Sequence, residues 1–353
     1  MKNSLKSYVF NLTLIILITG VTLWFALKDQ YQEVMMLIGQ MPWYWIVIIL
    51  SWGLIYAVLV GCILTVFAKR NNKNYKYRQG IATGLVGMFF SGITPSATGG
   101  QFAQAYVFNK QGVKISEAAS ILWADFIVYQ TTMMLYVTVL FIARFHYFMD
   151  MVGPWFWAIF VGYLVNIVVI AVLWTVALFP KLYVFLSGKL VSLLAKLRIV
   201  KNKERTLQEW TLQVESFIRE IKLMHHDKKL IIKTVSLNII RMTVQFMLPF
   251  YIMRAMGVDV GMNRFVDCLA LSSFVLMANA FIPIPGASGG TELIFTALFI
   301  SIVHSSILSS GVMILWRFST YHFVMIAGAI TFILVKRKYD KQRWKKEEGS
   351  LCE

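Results

Sequence analysis

The segment Pro95-Ser96-Ala97-Thr98-Gly99-Gly100 recurs later in the chain as Pro285-Gly286-Ala287-Ser288-Gly289-Gly290. Both copies read P-x-A-[ST]-G-G, and both are flanked by apolar sequence. Only seven prolines exist in 353 residues, so two of them heading the same hexapeptide indicate an internal repeat. Proline removes a backbone donor and paired glycines weaken a helix, so each copy breaks the helix that carries it. In the second copy Pro283 doubles the break.

The surroundings of the two breaks decide the fold class. Hydrophobic residues make up 58% of the chain and charged residues 14%, against about 45–50% and about 25% in soluble domains. The chain is therefore an all-α, polytopic integral membrane protein. Lipid cannot satisfy the backbone groups freed at such a break, so each turn must be covered by protein or line a watery cavity. Apolar stretches long enough to span run at 8–27, 42–67, 117–143, 155–179, 231–256 and 306–335. The N-terminal stretch lacks a small-x-small cleavage site and reads as a retained signal anchor.

The formal charge of +17 resides mainly between the apolar spans, a distribution that excludes a nucleic-acid-binding face. Placing the N-terminus in the cytoplasm, and letting each repeat enter and leave on one side, puts all but six of the 34 Lys and Arg inside. The expected fold is thus about six full transmembrane helices plus two re-entrant hairpins, N-in and C-in. The first hairpin (80–110) enters from the cytoplasm and the second (265–304) from outside, an inverted-repeat arrangement typical of transporters. On this reading 1–353 is one transmembrane domain. Repeat 1 covers about 42–179, a cytoplasmic amphipathic loop 180–230, repeat 2 about 231–335, and a basic tail 336–353. The stretch 181–198 places Leu182, Leu186, Leu190, Leu193 and Leu197 at helical spacing with lysines in one arc, which suits a helix lying on anionic inner-leaflet lipid.

The chemistry-bearing positions gather at the turns and inside the spans. Pro95, Thr98, Gly99, Gly100 and Gln101 in the first copy, and Pro285, Ser288, Gly289, Gly290 and Glu292 in the second, are the candidate substrate-binding residues. Thr98 and Ser288 are placed to cap the half-helix that follows, and the glycines let an anion approach its first-turn N–H groups. The alternative is that Gly-Gly merely allows close helix packing. Arg317 lies about 17 Å from one face of a core of about 30 Å, where it serves a substrate, a partner carboxylate or a buried ion pair. Arg241 is shallower, within snorkelling reach of water. Asp125 and Glu292 are candidate ion-coupling residues, although a carboxylate at the position of Glu292 is also favoured by the helix dipole.

No catalytic set, metal cluster or cofactor motif emerges, and Cys62, Cys268 and Cys352 have no redox or metal spacing. The chain does not read as an enzyme.

The stretches Gly92 to Gly112 (GITPSATGGQFAQAYVFNKQG) and Phe281 to Phe295 (FIPIPGASGGTELIF) resemble the two signature stretches of the lysylphosphatidylglycerol synthase transmembrane family. That family includes the flippase-like membrane domain of the multiple peptide resistance factor. The resemblance implies a multi-pass protein of the bacterial inner membrane that moves a modified phospholipid, glycolipid or polyprenyl lipid between leaflets. The chain ends shortly after its last span, without the soluble aminoacyl transferase domain of the full factor, so synthesis of lysylphosphatidylglycerol is not expected. The second function class is a scaffold or accessory subunit of a separate lipid-modifying enzyme, and a homo-oligomer is compatible with either.

Overall fold

The computed structural model describes residues 31–151, 155–178, 227–279, 282 and 284–351, with isolated positions 204 and 208. The stretch 8–27, Pro283 and the amphipathic helix expected at 181–198 lie outside the described residues. Among those described the fold is all-helical, as apolar chains must be when no water is at hand to satisfy the backbone.

In chain order the helices are α1 (Tyr31–Gly39), α2 (Trp43–Asn71), α3 (Tyr77–Ile93), α4 (Gly99–Lys110), α5 (Ile115–Ala143), α6 (Phe145–Met151), α7 (Trp155–Leu178), α8 (Lys228–Ala255), α9 (Phe265–Asn279), α10 (Gly290–Val303), α11 (Ser306–Arg317) and α12 (Val324–Leu351). Helix boundaries follow local chemistry. Asp227 caps α8 by accepting from the Leu230 N–H at 3.0 Å, and Ser305 caps α11 through Leu308 N–H at 3.3 Å. The α3 entrance is closed by Gln79, whose side chain accepts from the Lys76 N–H at 2.9 Å. Tyr75, in the connection before it, is buried and donates to Gln111 Oε1. Burial raises the Tyr75 hydroxyl above its ordinary range, so it remains a donor.

Five segments are long and apolar enough to cross a membrane: Trp43–Arg70, Ile115–Ala143, Lys228–Ala255, Pro285–Val303 and Ser306–Tyr339. Four coincide with expected spans. The fifth contains the second repeated turn, and its α-helical part, α10, has 14 residues. At about 1.5 Å per residue that is roughly 21 Å, short of a hydrocarbon core of about 30 Å. The fifth span expected within the described residues is α7, of which a shorter apolar part, Phe160–Val172, is described throughout.

Each repeat is a helix–turn–helix unit. α3 packs on α4 and α9 packs on α10, and the two turns between them, Pro95–Ala97 and Pro285–Ala287, touch each other. Gln111, just past α4, bonds Tyr75 and Thr83 at the α3 entrance. In the second unit Ser301 of α10 bonds Tyr147, over whose ring lies Arg264, just before α9. Around the units, α8 packs against α2, α5, α9 and α11, and α12 lies along α3. A large apolar core of α5, α8, α9, α10 and α11 includes Phe246, Phe250, Phe274, Phe295 and Phe299. Large side chains such as Trp43, Val139, Ile142, Trp157 and Ile330 are exposed on the outer faces of the helices, as a lipid-facing surface requires.

Between α11 and α12 the chain does not break but widens into one π-helical turn, Phe318–Phe323. Arg317 ends α11 just before it and Tyr321 lies within it, and such a local distortion is often found where a helix carries function. Gly53 of α2 makes room for it. A Cβ there would stand 2.0 Å from the Ser319 carbonyl, and the Gly53 N–H donates to Ser319 Oγ at 3.2 Å.

Candidate functional site

The first three residues of the two hexapeptides fold alike, down to the hydrogen bonds that close the turn. After each proline come two left-handed residues: Ser96 (φ 50°) and Ala97 (φ 55°) in one, Gly286 (φ 62°) and Ala287 (φ 51°) in the other. The Ala97 N–H donates to Thr94 O at 3.2 Å and the Thr98 N–H to Pro95 O at 3.3 Å. The counterparts are Ala287 to Ile284 O at 2.8 Å and Ser288 to Pro285 O at 3.4 Å. A left-handed non-glycine residue costs about 1–2 kcal/mol, so three such residues in two short turns mark a shape imposed by the surrounding protein.

Beyond the turn the copies differ. Thr98 is helical and α4 starts at once, whereas Ser288 is extended and Gly289 (φ 90°) adds a further break before α10. Neither Thr98 nor Ser288 caps the helix that follows, contrary to the expectation from sequence. Thr98 Oγ1 turns back to Pro95 O at 3.1 Å. The cap of α10 comes from its own first turn, where Glu292 Oε2 accepts from the Gly289 N–H at 2.7 Å.

Glu292 also meets the deep arginine. Its Oε1 accepts from Arg317 Nε at 2.9 Å, with the Glu292 side chain 1% and the Arg317 side chain 6% exposed. Arg317 Nη2 donates to the Gly286 carbonyl inside the turn. The guanidinium lies 4.3 Å from the centre of the Tyr321 ring, and the Tyr321 hydroxyl donates to Gly92 O at 3.1 Å. One chain of contacts therefore runs from α10 through Arg317 and Tyr321 to the end of α3, joining the two repeats. Of the roles open to Arg317, the structure shows the buried ion pair, with Glu292 as its partner.

A cleft of about 840 Å³ opens beside the paired turns. Ser96, Ala97, Thr98 and Gln101 of the first copy line it together with Gly286 and Ala287 of the second. Asp125 and Tyr129 enter from α5, Arg241 and Gln245 from α8, and Arg317 and Tyr321 from the far side. The helical period accounts for the α8 contribution, because Thr234, Asn238, Arg241 and Gln245 recur at intervals of three or four residues on one face. Asp125 and Tyr129 share a face of α5 for the same reason.

Arg241 is 4% exposed. Its guanidinium lies 4.1 Å from the Tyr129 ring centre and 5.6 Å from that of Tyr56, yet its Nε has no hydrogen-bond partner among the described residues. Asp125 supplies the nearby opposite charge, and its Oδ1 is likewise buried and unpartnered. A buried charged donor and acceptor left unmet in one cleft are costly unless something else satisfies them.

The structure thus brings Thr98, Gln101, Asp125, Arg241 and Arg317 to one cleft, with Glu292 behind Arg317. Pro95, Gly99, Gly100, Pro285, Ser288, Gly289 and Gly290 shape the turns without lining it. Tyr56, Tyr129, Gln104, Gln130, Gln245 and Tyr321 were not singled out from sequence. For the glutamines the signal was present, since a primary amide inside an apolar span is expensive without a partner. The tyrosines could not be distinguished from ordinary packing residues until Arg241 was seen between two of them.

Comparison with known proteins agrees with this architecture. The chain is 24% identical over 271 residues to a UPF0104 membrane protein of Archaeoglobus fulgidus, covering 73% of this chain and 77% of that protein. No solved structure matches. The family model described as "Lysylphosphatidylglycerol synthase TM region" matches residues 11–328, a stretch that holds both turns and every residue of the cleft, and the chain belongs to that family.

Proposed function

We propose that the protein moves a phospholipid or related anionic lipid between the leaflets of a bacterial cytoplasmic membrane. The observation that carries the reading is Arg241, a buried cation with an unmet Nε, in a cleft bounded by two opposed turns. A lipid phosphate supplies an acceptor for that Nε, and a charge-assisted contact of that kind is among the stronger hydrogen bonds.

In this reading the helix–turn–helix units are re-entrant hairpins, the Pro95 turn reached from the cytoplasm and the Pro285 turn from outside, with both termini inside. The basic residues support it: Lys69, Arg70, Lys73, Lys76, Arg78, Lys110 and Lys114 all adjoin the outer end of the first unit. Acyl chains stay in lipid while the head group crosses the cleft, and one repeat moves against the other to change its access. Arg317 and Glu292 serve as the joint between the repeats. Asp125, whose Oδ1 has no hydrogen-bond partner among the described residues and whose nearby opposite charge is Arg241, is then the stronger candidate for carrying a coupling proton.

The test is head-group exposure in proteoliposomes, read by dithionite quenching of acyl-labelled phosphatidylglycerol. The wild type accelerates exposure, and Arg241→Ala reduces the rate at least about tenfold, as loss of one charged hydrogen bond implies. Equal rates in the two proteins remove Arg241 from the mechanism. No protein-dependent exposure, together with stoichiometric co-purification of a lipid-modifying enzyme, replaces transport with an accessory role.

A further inference from the structure

The cleft carries more hydrogen-bonding capacity than a bare phosphate needs. Gln101 and Gln104 of α4, Gln130 of α5 and Gln245 of α8 all line it, and none of these four amides bonds to another side chain or to backbone among the described residues. By contrast, the amides of Gln79 and Gln111, at the outer end of the first unit, are both engaged by neighbouring protein groups. The cleft therefore gathers four amides that no described protein group occupies.

An amide presents a donor and an acceptor side by side, which is the complement of a hydroxyl that also does both. Charge in the cleft is sparse by comparison. Arg241 is the cation with an unmet Nε, and Asp125 is the one carboxylate lining the space, because Glu292 is occupied by Arg317 and the Gly289 N–H. A head group with two amines would find a single counter-charge there. Aromatic faces adjoin the amides, with Tyr129, Trp123 and Phe126 on the same wall.

Resting on the transport reading above, we infer that the lipid taken by this cleft carries a polyhydroxylated head group, a sugar or polyol joined to the lipid through phosphate. Arg241 takes the phosphate and the glutamines take the hydroxyls. Trp123 offers a flat apolar face for the C–H surface of a ring. The volume of about 840 Å³ lies within the range of sites for drug-sized ligands, and it exceeds what an ethanolamine group requires.

The experiment compares dioctanoyl phosphatidylinositol, phosphatidylethanolamine and lysylphosphatidylglycerol for binding to the detergent-solubilised full chain by native mass spectrometry. The same head groups are then compared in the proteoliposome exposure assay. Phosphatidylinositol is expected to bind at least about tenfold more tightly than phosphatidylethanolamine. The double variant Gln130→Leu with Gln245→Leu is expected to weaken phosphatidylinositol about fivefold per amide removed and to leave phosphatidylethanolamine unchanged. Equal binding of the two lipids by the wild type overturns the inference without any variant, as does tightest binding of lysylphosphatidylglycerol. A double variant that unfolds on purification leaves the wild-type preference to decide. Selective binding without any lipid exposure sinks the transport reading and leaves the head-group inference standing.

Discussion

The two repeated turns have the same backbone and opposite environments. In the first, Pro95, Ser96, Ala97 and Thr98 are all exposed, while in the second Pro285, Ala287 and Ser288 are buried. The matched positions two residues after Gly-Gly show why. Phe102 in the first copy is 79% exposed, whereas Glu292 in the second is buried and tied to Arg317. The same turn chemistry thus yields an open edge where it meets the cleft and a fixed joint where an ion pair seals it. What a turn of this kind does is set by the one charged neighbour it acquires.

The largest effect should come from breaking that asymmetry. Glu292→Ala leaves the Arg317 guanidinium buried without its carboxylate and should cost about 3–5 kcal/mol. Phe102→Ala, at the matched position, should change stability by less than about 0.5 kcal/mol. Equilibrium unfolding in mixed micelles compares the two, and similar losses would show that the turns are not differently anchored.

Exchanging the residues after the prolines comes next. Gly286→Ser adds a Cβ that would stand 2.1 Å from the Tyr321 hydroxyl, and it also imposes left-handed strain, so a loss of about 2–3 kcal/mol is expected. The reverse change, Ser96→Gly, meets no such crowding and should stabilise by about 0.5–1 kcal/mol through relief of a positive φ. A thermal-shift assay in detergent is expected to give opposite signs.

A smaller effect is expected for Tyr321→Phe, which removes the bond to Gly92 O between the repeats and retains the ring beneath Arg317. The loss should be about 1 kcal/mol, with lipid exposure changed more than stability if the joint moves during transport.

The outline of this molecule was legible in its sequence, because a proline and two glycines inside an apolar run leave few structural options. The two breaks and four of the spans follow from that pattern and from length. The partnerships did not follow. Arg317 and Glu292 sit on different helices, and only tertiary packing brings one to the other. No local sequence signal announces that meeting. Arg241 lies between tyrosines of two other helices, a meeting fixed by helix packing alone. The expected Thr98 and Ser288 caps failed for a physical reason as well: a left-handed pair before them turns Thr98 back on its own proline, and Glu292 caps α10 instead.

The account rests on two turns reached from opposite faces of the membrane. It is tested most directly by labelling single cysteines with an impermeant maleimide in sealed, oriented vesicles, after Cys62, Cys268 and Cys352 are replaced by serine. Asn109→Cys, near the end of α4, and His304→Cys, just past α10, occupy the outer ends of the two units and are both exposed. The account predicts that Asn109→Cys reacts only from the cytoplasmic side and His304→Cys only from the opposite side. Reaction of both from one face would contradict the opposed arrangement, and with it the cleft as a crossing point for lipid.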